Sequence, residues 1–178
     1  MIAGKEQQRY IAAHKTYQNY TRVKEVPKME PGVSKIDLHG YFIEDLTVGM
    51  SASYAKTITE ADIVIFAGIS GDNNPLHLNE EFAKESIFKG RIAHGMLTAV
   101  FISTVLGTKL PGPGCVYMNQ EVKFRAPVRP GDTVTTTVTI SDVIVDKKRV
   151  IAQSACKVRD KIVVEGRSVL LVPSRKDS

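Results

Sequence analysis

One apolar stretch, Ile92 to Leu106, limits what this chain can fold into more than any other part of it. It is too short to cross a bilayer, which takes roughly 20 apolar residues, and it carries His94, Thr98, Ser103 and Thr104. As a helix it is apolar on nearly every side, so the rest of the fold must enclose it. The residues after it are suited to that task. Beyond Pro111-Gly112-Pro113-Gly114 the period becomes two, with Val122, Phe124 and Ala126 alternating with Glu121, Lys123 and Arg125. Val134, Thr136, Val138 and Ile140 repeat the alternation after the Arg129-Pro130-Gly131-Asp132 turn. Segments 150–158 and 162–172 complete a run of strands, separated by Asp146-Lys147-Lys148 and Arg159-Asp160-Lys161, and the natural arrangement is an antiparallel meander.

Upstream, Ser53 to Ile58 is extended. Thr59 then stands where an N-cap belongs, with Asp62 three residues on, and Ile63, Phe66, Ala67 and Ser70 share a helical face. That helix stops at Gly71-Asp72-Asn73-Asn74-Pro75, where glycine, Asx side chains and proline all favour a turn. A second short helix is expected from about Asn79 to Ile87. Helices first and strands afterwards predict an α+β domain with one enclosed helix against an antiparallel sheet.

The first forty residues differ in composition. They are rich in Lys, Gln and Tyr, end in Pro27, Pro31 and Gly32, and hold +3 of the chain's formal +5 charge. Residues 1–40 are therefore read as an N-terminal extension, residues 41–174 as the compact domain and 175–178 as a polar C-terminal tail. The spacing of Tyr10, Ala13, Tyr17 and Tyr20 suits a short amphipathic helix, and a mobile tail suits the scarcity of strong apolar residues equally well. With the rest of the chain nearly neutral, the charge is poor support for nucleic-acid binding. Two isolated cysteines, Cys115 and Cys156, make neither a disulfide framework nor a zinc site. No secretory h-region comes after Met1. A reduced, cytoplasmic protein is expected, with no membrane partner.

Only His77 and His94 fall within the expected domain, each beside a helix junction. Asp72, Asn74, Pro75 and His77 share one turn and its exit. Taken alone these are turn formers, but Asp and His held by a rigid proline turn are also two groups of different pKa that can reach one water. Metal binding is weaker, because no third ligand lies close in sequence and the spaced metal signatures are missing. Nucleophile-elbow, phosphate-loop and dinucleotide fingerprints are absent too, and Cys115 has no histidine near it in sequence. At Arg91-Ile92-Ala93-His94-Gly95-Met96 the helix start offers unpaired N–H groups, and Gly95 would let a ligand oxygen approach.

Both constellations occur in order. The run Ala67 to His77 resembles the hydratase motif of the MaoC-like, (R)-specific enoyl-CoA hydratase family. Ile92-Ala93-His94-Gly95-Met96-Leu97, Leu110-Pro111-Gly112-Pro113-Gly114 and Val122 to Val128 resemble further segments of it, over roughly residues 42–173 in all. The resemblance implies a hot-dog fold, a long helix wrapped by an antiparallel sheet, and a homodimer or higher oligomer with active sites at the subunit interface. It implies Asp72 and His77 as the catalytic pair that activates water for addition to a trans-2-enoyl-CoA. Asn74 would brace them, Gly95 would hold the thioester oxygen through its N–H, and Ser103 would line the pocket. Pro75, His94 and Met96 are expected to contact substrate. No cofactor or metal is implied, since the CoA thioester is itself the substrate.

Three rival functions share parts of this pattern. A hot-dog thioesterase is disfavoured because Ile92–Leu106 contains no Asp or Glu. A dehydratase acting on acyl-carrier-protein thioesters would want a basic patch, for which Lys89, Arg91, Lys123, Arg125 and Arg129 are candidates. A non-catalytic acyl-CoA sensor binding DNA through residues 1–40 is opposed by the prolines and thin apolar pattern there.

Overall fold

Strong local stop and start signals divide the chain into nine regular elements in a computed structural model, which describes residues 38–177. They are β1 (Ser51–Thr57), α1 (Glu60–Ser70), α2 (Pro75–Leu78), α3 (Glu80–Glu85), α4 (Gly95–Thr108), β2 (Val116–Phe124), β3 (Thr133–Ile144), β4 (Arg149–Val158) and β5 (Lys161–Leu171), with short 3-10 turns between. Apart from Leu38–Gly40, the extension and its open choice of helix or tail lie outside the described residues. No helix among the described residues is long and apolar enough to cross a membrane.

The five strands form one antiparallel sheet in the order β1-β3-β4-β5-β2. Strands β3, β4 and β5 make the expected meander. Strand β2 does not join it beside β3; it pairs with β5, from Val116 opposite Leu171 to Phe124 opposite Val164. Alternation tells which face a residue occupies, not which strand lies next to it. After β2 the chain crosses the sheet to reach β3. The Ala93 N–H donates to the Val128 carbonyl at 2.7 Å, and the Gly131 N–H to that of Ile58 at 2.8 Å. That crossover therefore runs over the start of α4.

On β3 the period-two pattern holds, with Val134, Thr136, Val138 and Ile140 buried. They meet Val150, Ala152, Cys156 and Leu170 from the neighbouring strands, and Leu97, Phe101, Ile102, Val105 and Leu106 of α4 close this core. Thr136 donates to the Cys156 sulfur at 3.3 Å, and burial pushes that thiol's pKa up, as it does for Cys115. The other face of β3 meets β1 through paired hydroxyls: Ser51 with Thr139, Ser53 with Thr137 and Thr57 with Thr133, at 2.7–3.2 Å. Lys109 donates to the Ser53 carbonyl at 2.6 Å.

Among the described residues, nothing encloses the helix α4 on every side. Met96 is 56% and Val100 45% exposed, and Ser103 and Gly107 share the uncovered stripe. One sheet can cover only one side of a cylinder about 10 Å across. Strand β2 is uncovered too, leaving Val116, Tyr117, Met118 and Phe124 exposed.

Helix α1 begins as expected. Asp62 accepts from the Thr59 N–H at 2.8 Å, the Thr59 hydroxyl at 2.7 Å and Lys56 Nζ at 2.9 Å. The Lys56 bond, then the two from Thr59, lower the Asp62 pKa from the ordinary 3.8 to about 2. Asp62→Ala is expected to cost about 1 kcal/mol of stability at neutral pH. A lowered carboxyl pKa stabilises the fold above the ordinary value, and that contribution is lost as pH falls through the folded value. Wild type and variant should therefore converge in denaturant titrations as pH falls from 3.8 to about 2.

Candidate active site

Gly71 ends α1 with φ of 77°, the left-handed conformation that glycine adopts freely, and turns the chain toward α4. The Asp72 N–H donates to the Ser70 hydroxyl at 3.2 Å, and the Asn74 N–H donates to the Asp72 carboxylate at 3.2 Å. Asn74 in turn caps α2, its Oδ1 accepting from the Leu76 N–H at 3.1 Å, while Pro75 takes the first helical position, where its missing N–H costs nothing. The expected turn is thus half helix. Asn79 caps again for α3, so the helix expected over 79–87 forms as Glu80–Glu85, and the turn of helix before it, α2, is an addition. One turn of α2 carries His77 inward.

His77 is buried, with Nδ1 2.9 Å from the Ile92 carbonyl. A carbonyl only accepts, so in the uncharged ring Nδ1 carries the proton and Nε2 is left as a bare acceptor. His94, the N-cap of α4, is 1% exposed and uses the opposite nitrogen: Nε2 lies 2.9 Å from the main-chain carbonyl of Asp72, and Nδ1 has no partner. The two rings pack at 3.8 Å between centroids with a 33° tilt, and Phe66 lies 5.0 Å from His94.

An oxygen of the Asp72 carboxylate and one nitrogen from each of His77 and His94 fall within 4.8 Å of one another. That set has the composition of a metal site, which sequence spacing alone did not reveal. Its geometry does not suit one. Rings so nearly stacked cannot both direct an in-plane lone pair at an ion about 2 Å away.

Gly95 opens α4, whose first N–H groups have no intrahelical partner. A Cβ there would lie 2.8 Å from Phe124 Cε1, so the ring closes over the helix start only because this residue is glycine. Beside it is a cleft of about 280 Å³ lined by His77, Ile92, Gly95, Thr98, Phe124 and Val128 among others. Asp72 is exposed and is not part of its wall.

Other expected site residues lie apart from this cluster. Ser103 is about 12 Å further along α4 than Gly95. It bonds to Tyr117, whose hydroxyl pKa is pushed up to about 12 by burial, partly offset by its bonds to Ser103 and Ser168. Ser168 donates to Gln120 at 2.6 Å, continuing this polar chain between α4 and the sheet. Pro75 and Met96 are exposed. Tyr117, Thr98 and Phe124 were not foreseen, because strand alternation carries no sign that β2 is the strand beside α4's uncovered stripe. The basic patch is largely engaged: Arg91 pairs with Glu60 at 2.7 Å and Glu80 at 3.3 Å, Arg125 pairs with Glu165, and Arg129 donates to the carbonyls of Phe88 and Arg91. Arg91 and Arg129 brace the segment between α3 and α4.

An (R)-specific enoyl-CoA hydratase of Rhodospirillum rubrum is 54% identical to this chain over 143 residues, covering 80% of this chain and 99% of that protein. A 3-hydroxybutyryl-CoA dehydratase of Methylorubrum extorquens is 44% identical over 142 residues, 80% of this chain and 90% of that one. The solved structure of the (R)-hydratase from Aeromonas caviae involved in PHA biosynthesis is similar with a TM-score of 0.71 at 36% identity, over 73% of this chain and 99% of that one. The helix laid against a five-stranded antiparallel sheet is the hot-dog fold of such hydratases. Residues 46–165 match the MaoC like domain, and the chain belongs to that family.

Proposed function

We propose that this protein adds water to trans-2-enoyl-CoA to give (R)-3-hydroxyacyl-CoA, and catalyses the reverse dehydration. The observation that carries the reading is the convergence of the Asp72 carboxylate and a ring nitrogen of His77, whose Nδ1 is held by the Ile92 carbonyl, beside the open N-terminus of α4. Asp72 and His77 hold and deprotonate one water, whose oxygen bonds to C3. The electron pair of the C2–C3 double bond moves toward the thioester carbonyl, and the oxygen gains negative charge. The Gly95 N–H at the helix start meets that charge, an interaction stronger in the transition state than in the ground state. The proton taken from water returns to C2. No metal or dissociable cofactor enters the reaction. Asn74 acts as a brace, through the bond from its N–H to the Asp72 carboxylate.

The working unit is a homodimer. Among the described residues strand β2 is an open sheet edge with apolar residues on both faces, and the stripe of α4 beside it exposes Met96 and Val100. A second copy of the chain laid across both would cover them and wall in Asp72, Ser103 and Met96. A CoA thioester substrate and two free thiols are consistent with the cytoplasm.

Loss of enone absorbance from crotonyl-CoA and longer enoyl-CoAs, followed by chiral analysis, tests the activity. An (R) product is expected with no free CoA detected by a thiol reagent; an (S) product, or stoichiometric CoA release, would overturn the reading. Asp72→Ala and His77→Ala should each lower kcat at least about 10²-fold while the circular dichroism spectrum is unchanged. Near-normal turnover in folded Asp72→Ala would sink its role. Gly95→Ala should displace Phe124 and cut kcat/KM by about tenfold or more, with an unfolding midpoint near that of wild type. Sedimentation should give twice the mass of one chain, and Met118→Glu on β2 should shift it toward one; a monomeric wild type at micromolar concentration contradicts the dimer.

A further inference from the structure

We propose that His94 is a positioning residue that fixes the distance between the Asp72 carboxylate and the N–H groups at the start of α4, an inference that rests on the function proposed above. Asp72 has three polar ties among the described residues. Its N–H bonds to Ser70 and its carboxylate accepts from Asn74, both two residues away in sequence. Neither tie relates Asp72 to any other part of the fold. The third runs from His94 Nε2 to the Asp72 carbonyl across 22 residues of chain, and His94 is the residue immediately before Gly95. The imidazole therefore links the main chain of the carboxylate directly to the helix terminus that receives the thioester oxygen.

The chemistry of the second nitrogen supports this assignment. His94 is 1% exposed and its Nδ1 meets no partner, so the ring makes a single hydrogen bond where a histidine can make two. An apolar side chain would fill the same space without an unpaired acceptor. What histidine adds is the Nε2–H. The same ring packs on His77 at 3.8 Å and bonds to the Asp72 carbonyl, so both members of the proposed pair touch one side chain. Neighbouring polar groups that face it are Asp72 from the α1–α2 connection and His77 from α2, with Phe66 of α1 on the remaining side.

Two variants and one spectrum test the assignment. His94→Phe keeps a ring and removes the donor. His94→Gln keeps a nitrogen donor the same number of bonds from Cα. For His94→Phe the expected result is a fall in kcat of about 10²-fold with KM for crotonyl-CoA nearly unchanged, the scale of loss seen when reacting groups are misplaced by about 1 Å. His94→Gln should recover most of that loss. Full turnover by His94→Phe, or equal impairment of kcat in both variants, overturns the proposal, as does an effect confined to KM. The imidazole nitrogen shifts of the unaltered protein give a reading independent of turnover and of whether either variant folds. An Nε2–H ring at His94 with an Nδ1–H ring at His77 is expected, and an Nδ1–H ring at His94 overturns the tie. Should the unaltered protein hydrate no enoyl-CoA, the proposed function fails and these spectra still decide whether His94 grips Asp72.

Discussion

Burial of one side of α4 against one face of the sheet is the interaction on which the remaining structure depends. Leu97, Phe101, Ile102, Val105 and Leu106 stand in the core with Val134, Val138, Ala152 and Leu170 and are almost inaccessible. Side chains this deeply packed cannot shift without opening a cavity, and each large one removed to alanine typically costs about 2–5 kcal/mol. The helix is therefore a rigid bar, and its N-terminus inherits that rigidity. Everything in the candidate site is referred to this end: His94 caps it, Gly95 opens it, and the crossover after β2 is pinned to Ala93 just before it. Donors held this firmly need little reorganisation when charge develops beside them.

The loop containing Asp72 is built differently. It is exposed, made mostly of local hydrogen bonds, and stopped by Gly71 at one side and Pro75 at the other. Arg91 and Arg129 attach the next segment by ion pairs and carbonyl contacts, beside the buried Ile92 and Ala93. Exposed ion pairs of this kind contribute little each, typically less than about 1 kcal/mol. A firm helix end beside a more lightly held loop suits a site that must admit a substrate with a long pantetheine arm.

How much of this was legible in the sequence depends on whether the signal was local. The Thr59 capping box, the stop at Gly71 and the alternation of Val134 to Ile140 are each set by residues a few positions apart, and all three elements formed where expected. The Asp72–His77 turn was legible as a motif. The partnership of His77 with His94 was not, because both rings bond to main-chain carbonyls, of Ile92 and Asp72, and any residue can supply a carbonyl. The place of β2 beside β5 escaped for a related reason, since pairing is decided by the crossover and not by the strand's own residues. The basic residues read as a docking patch turned out largely engaged, because a charge run along the chain says nothing about which acids lie across from it.

The two edges of the sheet differ in kind. Strand β1 presents Ser51, Ser53 and Thr57 knitted to the threonines of β3, and Lys109 already occupies the Ser53 carbonyl. Strand β2 presents Val116, Met118 and Phe124 with its outer main chain unpaired by any strand of this chain among the described residues. A strand added at β2 would therefore meet apolar side chains, whereas one added at β1 would meet hydroxyls, so the two edges of one sheet offer a neighbour opposite surfaces.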